Sequence, residues 1–205
     1  MIGSSVCLMH DSLTFVMQSL LRFRQMGAIV PSSPRLARAM VHEIPPLHAD
    51  EVVVELGPGT GVFTRELLAR FPRNRVVAVE FNAELADRLQ RQMPQVSVVT
   101  GCASRIGQHL DRLGLPRYRV GAVVSGLPLL SLPRELGDSI FSSLAEVLEP
   151  GRRYIQFTYS KRAWRRHHPP GFRLEATRRV WFNVPPAEVL PFTRLETHLP
   201  AVASA

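Results

Sequence analysis

The chain has 205 residues, 45% of them hydrophobic, which fits one domain with a sizeable core and argues against disorder except at the ends. Its formal net charge is +8, from 25 basic against 17 acidic residues, with Lys161 the only lysine; such a surface favours anionic partners, either nucleic acid or an acidic lipid face. Two cysteines, Cys7 and Cys102, without CxxC spacing, suit a reducing cytosol, and seven histidines at no ligand spacing give no metal site.

The N-terminus carries no secretory signal pattern and no run of about 20 apolar residues that would span a membrane. Residues Ser12 to Met26 read instead as an amphipathic helix. Leu13, Val16, Met17, Leu20, Leu21 and Phe23 fall on one side, Thr14, Gln18, Ser19 and Arg22 on the other, and Gly27 closes it. After an irregular link, Ser33 is placed to cap a second helix with Pro34 at its first position, running to Glu43 before Pro45-Pro46. The expected division is 1–50 for these amphipathic or lid helices and 51–200 for the main domain.

From residue 51 strands and helices alternate. Glu51–Leu56, Arg75–Glu80, Val96–Thr100, Val120–Ser125 and Tyr154–Tyr159 are short apolar runs rich in valine, as buried strands require. Helices are expected over Val62–Phe71, Ala83–Met93, Ser104–Leu113 and Pro133–Leu148. Phe172–Val184 and Glu188–Thr197 read as a closing hairpin through Pro185-Pro186. This order predicts an α/β, Rossmann-like architecture: a mostly parallel sheet of seven strands, helices on both faces, and ligands at the carboxyl ends of the strands.

The first strand runs into Gly57-Pro58-Gly59-Thr60-Gly61, with Glu55 two residues before the first glycine. Glycines at alternate positions allow backbone angles closed to other residues and let a ligand approach the chain. Glu80 ends the second strand, 19 residues after Gly61, where a carboxylate can accept both hydroxyls of a ribose. Phe81 and Asn82 stand next to it, placed to flank an adenine. A dinucleotide fold would show G-x-G-x-x-G and bind a pyrophosphate. The G-x-G-x-G form resembles the first motif of class I S-adenosylmethionine-dependent methyltransferases. The resemblance implies S-adenosyl-L-methionine as cofactor, held by Glu55, Gly57, Gly59, Thr60, Gly61, Glu80, Phe81, Asn82, Cys102, Ala103 and Ser125. At Gly101-Cys102-Ala103 the sequence departs from the Gly-Asp-Ala often seen in this class, and a thiol is a weak hydrogen-bond partner.

Ser125-Gly126-Leu127-Pro128-Leu129-Leu130 follows the fourth strand, where the methyl acceptor should bind. The block is similar to the Asn-Leu-Pro-Tyr motif of the ribosomal RNA adenine dimethylases, but Leu129 stands where a ring would stack a flipped base, which argues against nucleic acid as the acceptor. It more closely resembles the bacterial phospholipid N-methyltransferases. Arg24–Ser33, Ile155–Ser160 and Arg179–Ala187 also look like blocks of that family, so the resemblance covers about Leu20 to Leu195. It implies methyl transfer to the headgroup amine of phosphatidylethanolamine. Ser125, through its hydroxyl, and Leu127, through its carbonyl, are the expected amine-orienting groups, and Tyr159 a hydroxyl or ring face for the methylated cation. The helix at 12–26 is expected to meet the membrane, with Arg22, Arg24, Lys161, Arg162, Arg165 and Arg166 towards lipid phosphates, which would place the enzyme peripherally on the cytoplasmic face of the cell membrane. RNA adenine N6-methylation and a non-catalytic lipid- or cofactor-binding module are the alternatives.

Overall fold

The structure, a computed structural model, describes residues 33–164 and 168–196. The helix expected at 12–26, with Arg22, Arg24, Arg165 and Arg166, lies outside them. The described chain begins at the second helix of the sequence reading. Here α1 spans Pro34–His42, capped by the Ser33 hydroxyl, which accepts from the Leu36 N–H at 3.2 Å. Its Leu36, Ala37, Met40 and Val41 are buried, so α1 packs as part of the main body.

Strands and helices then alternate: β1 (Val52–Leu56), α2 (Val62–Arg70), β2 (Arg75–Glu80), α3 (Ala83–Gln92), β3 (Ser97–Thr100), α4 (Ile106–Arg112), β4 (Val120–Ser125), α5 (Arg134–Val147) and β5 (Arg153–Thr158). A short α6 (Lys161–Trp164) precedes β6 (Phe172–Leu174), β7 (Arg178–Val180) and β8 (Ala187–Arg194). Tyr159 thus lies just past β5, not within it. Short 3-10 turns at Ala103–Arg105, Arg117–Arg119 and Leu129–Ser131 were not apparent from periodicity.

The sheet order is β3-β2-β1-β4-β5-β8-β6, with β7 also on β8. Strands β1 to β5 are parallel, and β8 runs antiparallel to β5, β6 and β7. Eight strands replace the seven expected because the 172–184 arm is broken into two pieces on one edge of β8. Pro191 explains the break. Its carbonyl accepts from Glu175 N–H at 2.9 Å, so its backbone faces that edge, and proline has no N–H to continue the ladder there.

The alternation of β1 sets two cores. Val52, Val54 and Leu56 face α4 and α5 through Ile106, Leu110, Ile140 and Leu144. Val53 faces α1, α2 and α3 through Leu36, Met40, Leu67 and Leu89. Glu55 shares the parity of Val53, and so a carboxyl is carried into the second core at the end of the strand.

Candidate active site

The carboxyl ends of four strands are tied into one rim. Gly57 N–H donates to Val79 O at 2.9 Å, Gly101 N–H to Glu80 O at 2.8 Å, and Gly126 N–H to Leu56 O at 2.8 Å. Gly57, Gly59 and Gly61 adopt φ of 68°, 55° and 77°, the left-handed region that glycine alone enters cheaply. Arg65 supports the loop from α2, donating to the carbonyls of Gly61 and Thr60 at 3.2 and 3.4 Å.

Two carboxylates of different character sit beneath this loop. Glu80 is nearly buried, and its two oxygens accept from Gly59 N–H at 3.1 Å and Asn82 N–H at 3.0 Å. Each oxygen keeps acceptor capacity, so the pair fits a vicinal diol. Glu55 is fully buried. Its Oε2 accepts from the Thr64 hydroxyl at 2.7 Å, while Oε1 has no partner among the described residues. Burial pushes its pKa from 4.5 up to about 7, opposed by the Thr64 hydrogen bond and reinforced by the negative charge of Glu80.

The remaining cofactor candidates lie on the same rim. Phe81 and Asn82 are half-buried. The Asn82 side chain is already engaged as the cap of α3, accepting from Leu85 N–H at 3.0 Å. Cys102 is half-buried with its sulfur 3.1 Å from Ser104 Oγ, and Ala103 is buried beside it. A residue absent from the sequence reading holds this turn: His109 Nε2 lies 2.9 Å from Cys102 O, and the ring occupies the place a side chain at Gly101 would need. Desolvation lowers the His109 pKa, which favours a neutral ring donating through Nε2.

The loop after β4 is held by a chain of hydrogen bonds. Leu127 N–H donates to Ser125 Oγ at 3.2 Å. Tyr154 O–H donates to Gln156 Oε1 at 2.9 Å, and Gln156 Nε2 returns to Leu127 O at 2.9 Å. Leu127 O also accepts from Leu129 N–H at 2.9 Å. Ser125 is therefore wholly buried, and both lone pairs of the Leu127 carbonyl are engaged in this state. Burial raises the Tyr154 pKa, so the Tyr154–Gln156–Leu127 bonds stay uncharged. Sequence reading missed Tyr154 and Gln156, although a glutamine inside an otherwise apolar buried strand was the available signal.

The two loops touch. A Cβ on Gly126 would sit 2.8 Å from Gly57 O, and one on Gly57 would sit 2.6 Å from Leu127 Cδ2. Tyr159 is 41% exposed at the rim, with its ring edge-on to Phe157 at 5.5 Å, and Phe157 in turn meets Phe63 at 5.9 Å. Arg162 is exposed on α6. Among the described residues no cluster of three or more His, Cys, Asp or Glu is placed to hold a metal, and no helix is long and apolar enough to cross a membrane.

A parallel sheet whose strand order reverses beside β1, a left-handed glycine loop and a carboxylate at the end of β2 fit the class I methyltransferase architecture. The methyltransferase domain family matches residues 53–151. The chain is 36% identical over 136 residues to ornithine lipid N-methyltransferase of Singulisphaera acidiphila, covering 64% of this chain and 69% of that one. It is 33% identical over 107 residues to ribosomal RNA small subunit methyltransferase A of Bordetella pertussis, covering 49% of this chain but only 39% of that enzyme. Among solved structures, TrmN from Thermus thermophilus shares the fold with a TM-score of 0.64 at 20% identity, over 79% of this chain and 49% of that one. A geranyl diphosphate methyltransferase in complex with SAM follows with 0.63 at 13% identity, over 79% and 85%. The chain belongs to the class I S-adenosylmethionine-dependent methyltransferases, and is an N-methyltransferase that uses S-adenosylmethionine as its cofactor.

Proposed function

We propose that this enzyme methylates the headgroup amine of a membrane lipid, with phosphatidylethanolamine as the acceptor expected from the sequence. The observation that carries the reading is the match to a lipid N-methyltransferase over 69% of that enzyme's length. A lipid bearing an ornithine headgroup is the second acceptor, on the name of that relative. The RNA reading is supported by matches to ribosomal RNA small subunit methyltransferases A, over 107 residues in one and over 181 residues in another, the latter covering 73% of this chain and 62% of that enzyme. Against it, Leu129 is 5% exposed and packed in the core, so the acceptor loop presents no ring at that position on which a flipped base could stack.

In this proposal the Glu80 carboxylate takes the ribose hydroxyls, and the backbone of Gly57, Gly59, Thr60 and Gly61 lines the amino-acid part of the cofactor. The orphaned Glu55 Oε1 lies beneath that loop as an acceptor or counter-charge for its amino group. Phe81, Asn82, Cys102 and Ala103 border the adenine, and Ser125, expected beside the methyl, supports from below the loop that faces it. When bound, S-adenosylmethionine supplies an electrophilic methyl on a sulfonium.

The lipid amine must reach that methyl neutral and in line: its nitrogen forms the new N–C bond as the C–S bond breaks, and its proton leaves to water or to a base. The Tyr154–Gln156–Leu127 bonds tie the acceptor loop to β5, and the close approach of Gly126 and Leu127 to Gly57 packs it against the cofactor loop. For Leu127 O to take an amine N–H, Gln156 must yield one of its two donor bonds; its other partner, Phe157 O at 3.0 Å, lets it remain anchored. Tyr159 offers its exposed ring to the cation that grows as methyls accumulate. Thin-layer separation of lipids after incubation with labelled S-adenosylmethionine and mixed vesicles tests the proposal. Label in phosphatidylethanolamine or ornithine lipid products supports it; label in neither, with cofactor binding confirmed, removes it.

A further inference from the structure

The loop between β7 and β8 carries the most exposed large hydrophobic side chains of the described residues. Trp181 is 62% exposed, Phe182 76% and Val184 73%. Such rings are normally covered in a water-soluble body, and here they stand together on one short loop. The loop is not slack. Asn183, at its centre, is 2% exposed; its side chain donates to Pro185 O at 2.7 Å and accepts from Ser33 N–H at 3.2 Å. The buried asparagine thus anchors the backbone while its neighbours point outward.

Two arginines complete the patch. The Arg179 guanidinium lies 4.2 Å from the centroid of the Trp181 ring, and that of Arg35 lies 4.9 Å from the Phe182 ring. Both are exposed, and neither has an acidic partner among the described residues, whereas neighbouring Arg178 pairs with Glu43 at 3.4 Å. Aromatic rings with a cation over each face match the boundary of an anionic bilayer, where the ring meets the acyl edge and the guanidinium meets phosphate.

The position also fits. Strand β5 ends at Thr158 opposite Glu188, and the loop enters β8 at Ala187, so the patch sits on the carboxyl-end rim that carries Tyr159 and the acceptor loop. We infer that Trp181, Phe182 and Val184, with Arg35 and Arg179, form a fixed wedge that docks the enzyme on an anionic phospholipid surface with its active-site rim facing the headgroups. The inference rests on the lipid reading above, and it places a membrane contact well away in sequence from the helix at 12–26.

The test uses the full chain carrying Trp164→Phe, which leaves Trp181 as the only tryptophan. Vesicles of phosphatidylcholine with and without phosphatidylglycerol are added, and Trp181 emission is read with brominated lipids as quenchers. The expected result is a blue shift and quenching that require the anionic lipid. Trp181→Ser with Phe182→Ser should weaken vesicle binding at least tenfold, and Arg35→Gln or Arg179→Gln about fivefold each. Cofactor affinity and transfer to a short-chain, monomeric aminolipid should stay unchanged in these variants, which separates docking from chemistry and from misfolding.

Trp181 already shielded from acrylamide without vesicles and indifferent to them would mean that residues 1–32 or a second copy cover the patch, which overturns the inference. Equal vesicle binding by the double variant also overturns it. Insertion of Trp181 without transfer to any lipid leaves the docking standing and removes the acceptor proposal; transfer to the monomeric lipid without insertion does the reverse.

Discussion

Replacing Glu55 by glutamine removes a charge the fold holds at a cost. The side chain keeps its shape and can still accept from Thr64, but it no longer titrates. In the native state the carboxyl titrates at about 7 rather than 4.5, so native Glu55 binds its proton more tightly than the unfolded chain by about 3 kcal/mol. Because the native pKa is raised, the folded state binds more protons between these values. Its stabilising share is fully present below pH 4.5, falls as pH rises, and is lost above about pH 7. Urea unfolding of wild type and Glu55→Gln from pH 4.5 to 8 gives the difference directly, since other titrations, including that of His109, are common to both chains. Wild type should lose about 3 kcal/mol relative to the variant across that range, in the form without cofactor. Parallel curves, or a difference of the opposite sign, would refute a buried carboxyl with a raised pKa at this position.

Other consequences follow from the same geometry. If Glu55 faces the cofactor's ammonium, affinity for S-adenosylmethionine should rise between pH 6 and 8 in wild type and stay flat in Glu55→Gln, by isothermal titration at each pH. Glu80→Ala should lower cofactor affinity at least tenfold, by the same titration, and should also cost about 1–3 kcal/mol in urea unfolding, since Gly59 and Asn82 N–H lose their acceptor. Gln156→Leu leaves the Tyr154 hydroxyl without its acceptor and frees Leu127 O, so it should cost about 1–3 kcal/mol in urea unfolding and lower kcat more than it changes cofactor binding. Gly126→Ala drives a methyl to within 2.8 Å of Gly57 O; it should destabilise by about 1–3 kcal/mol and reduce kcat by separating the two loops.

Strand and helix order was readable because each parallel strand is buried on both faces and so shows as an uninterrupted valine-rich run, such as Val52–Leu56 and Val120–Ser125. The glycine loop was readable because three positive φ angles leave little choice of residue. The split of the outer arm into β6 and β7 was not, since it arises from Pro191 on a neighbouring strand and not from anything in 172–184 itself. The placement of Glu55 and Glu80 at the glycine loop was legible from their spacing to it, while their part in holding a cofactor is a proposal. The engagement of Leu127 O was hidden, because it depends on Tyr154 and Gln156 arriving from β5. His109 was hidden likewise, because its link to Cys102 is made by the fold across a turn and carries no spacing rule.

The acceptor is tested most directly by competition in one vessel: labelled S-adenosylmethionine, vesicles containing phosphatidylethanolamine and ornithine lipid, and unmodified small-subunit ribosomal RNA. After organic extraction the label should lie in N-methylated lipid, with the aqueous RNA fraction at background. Label in the RNA, with the lipid fraction blank, would contradict the account.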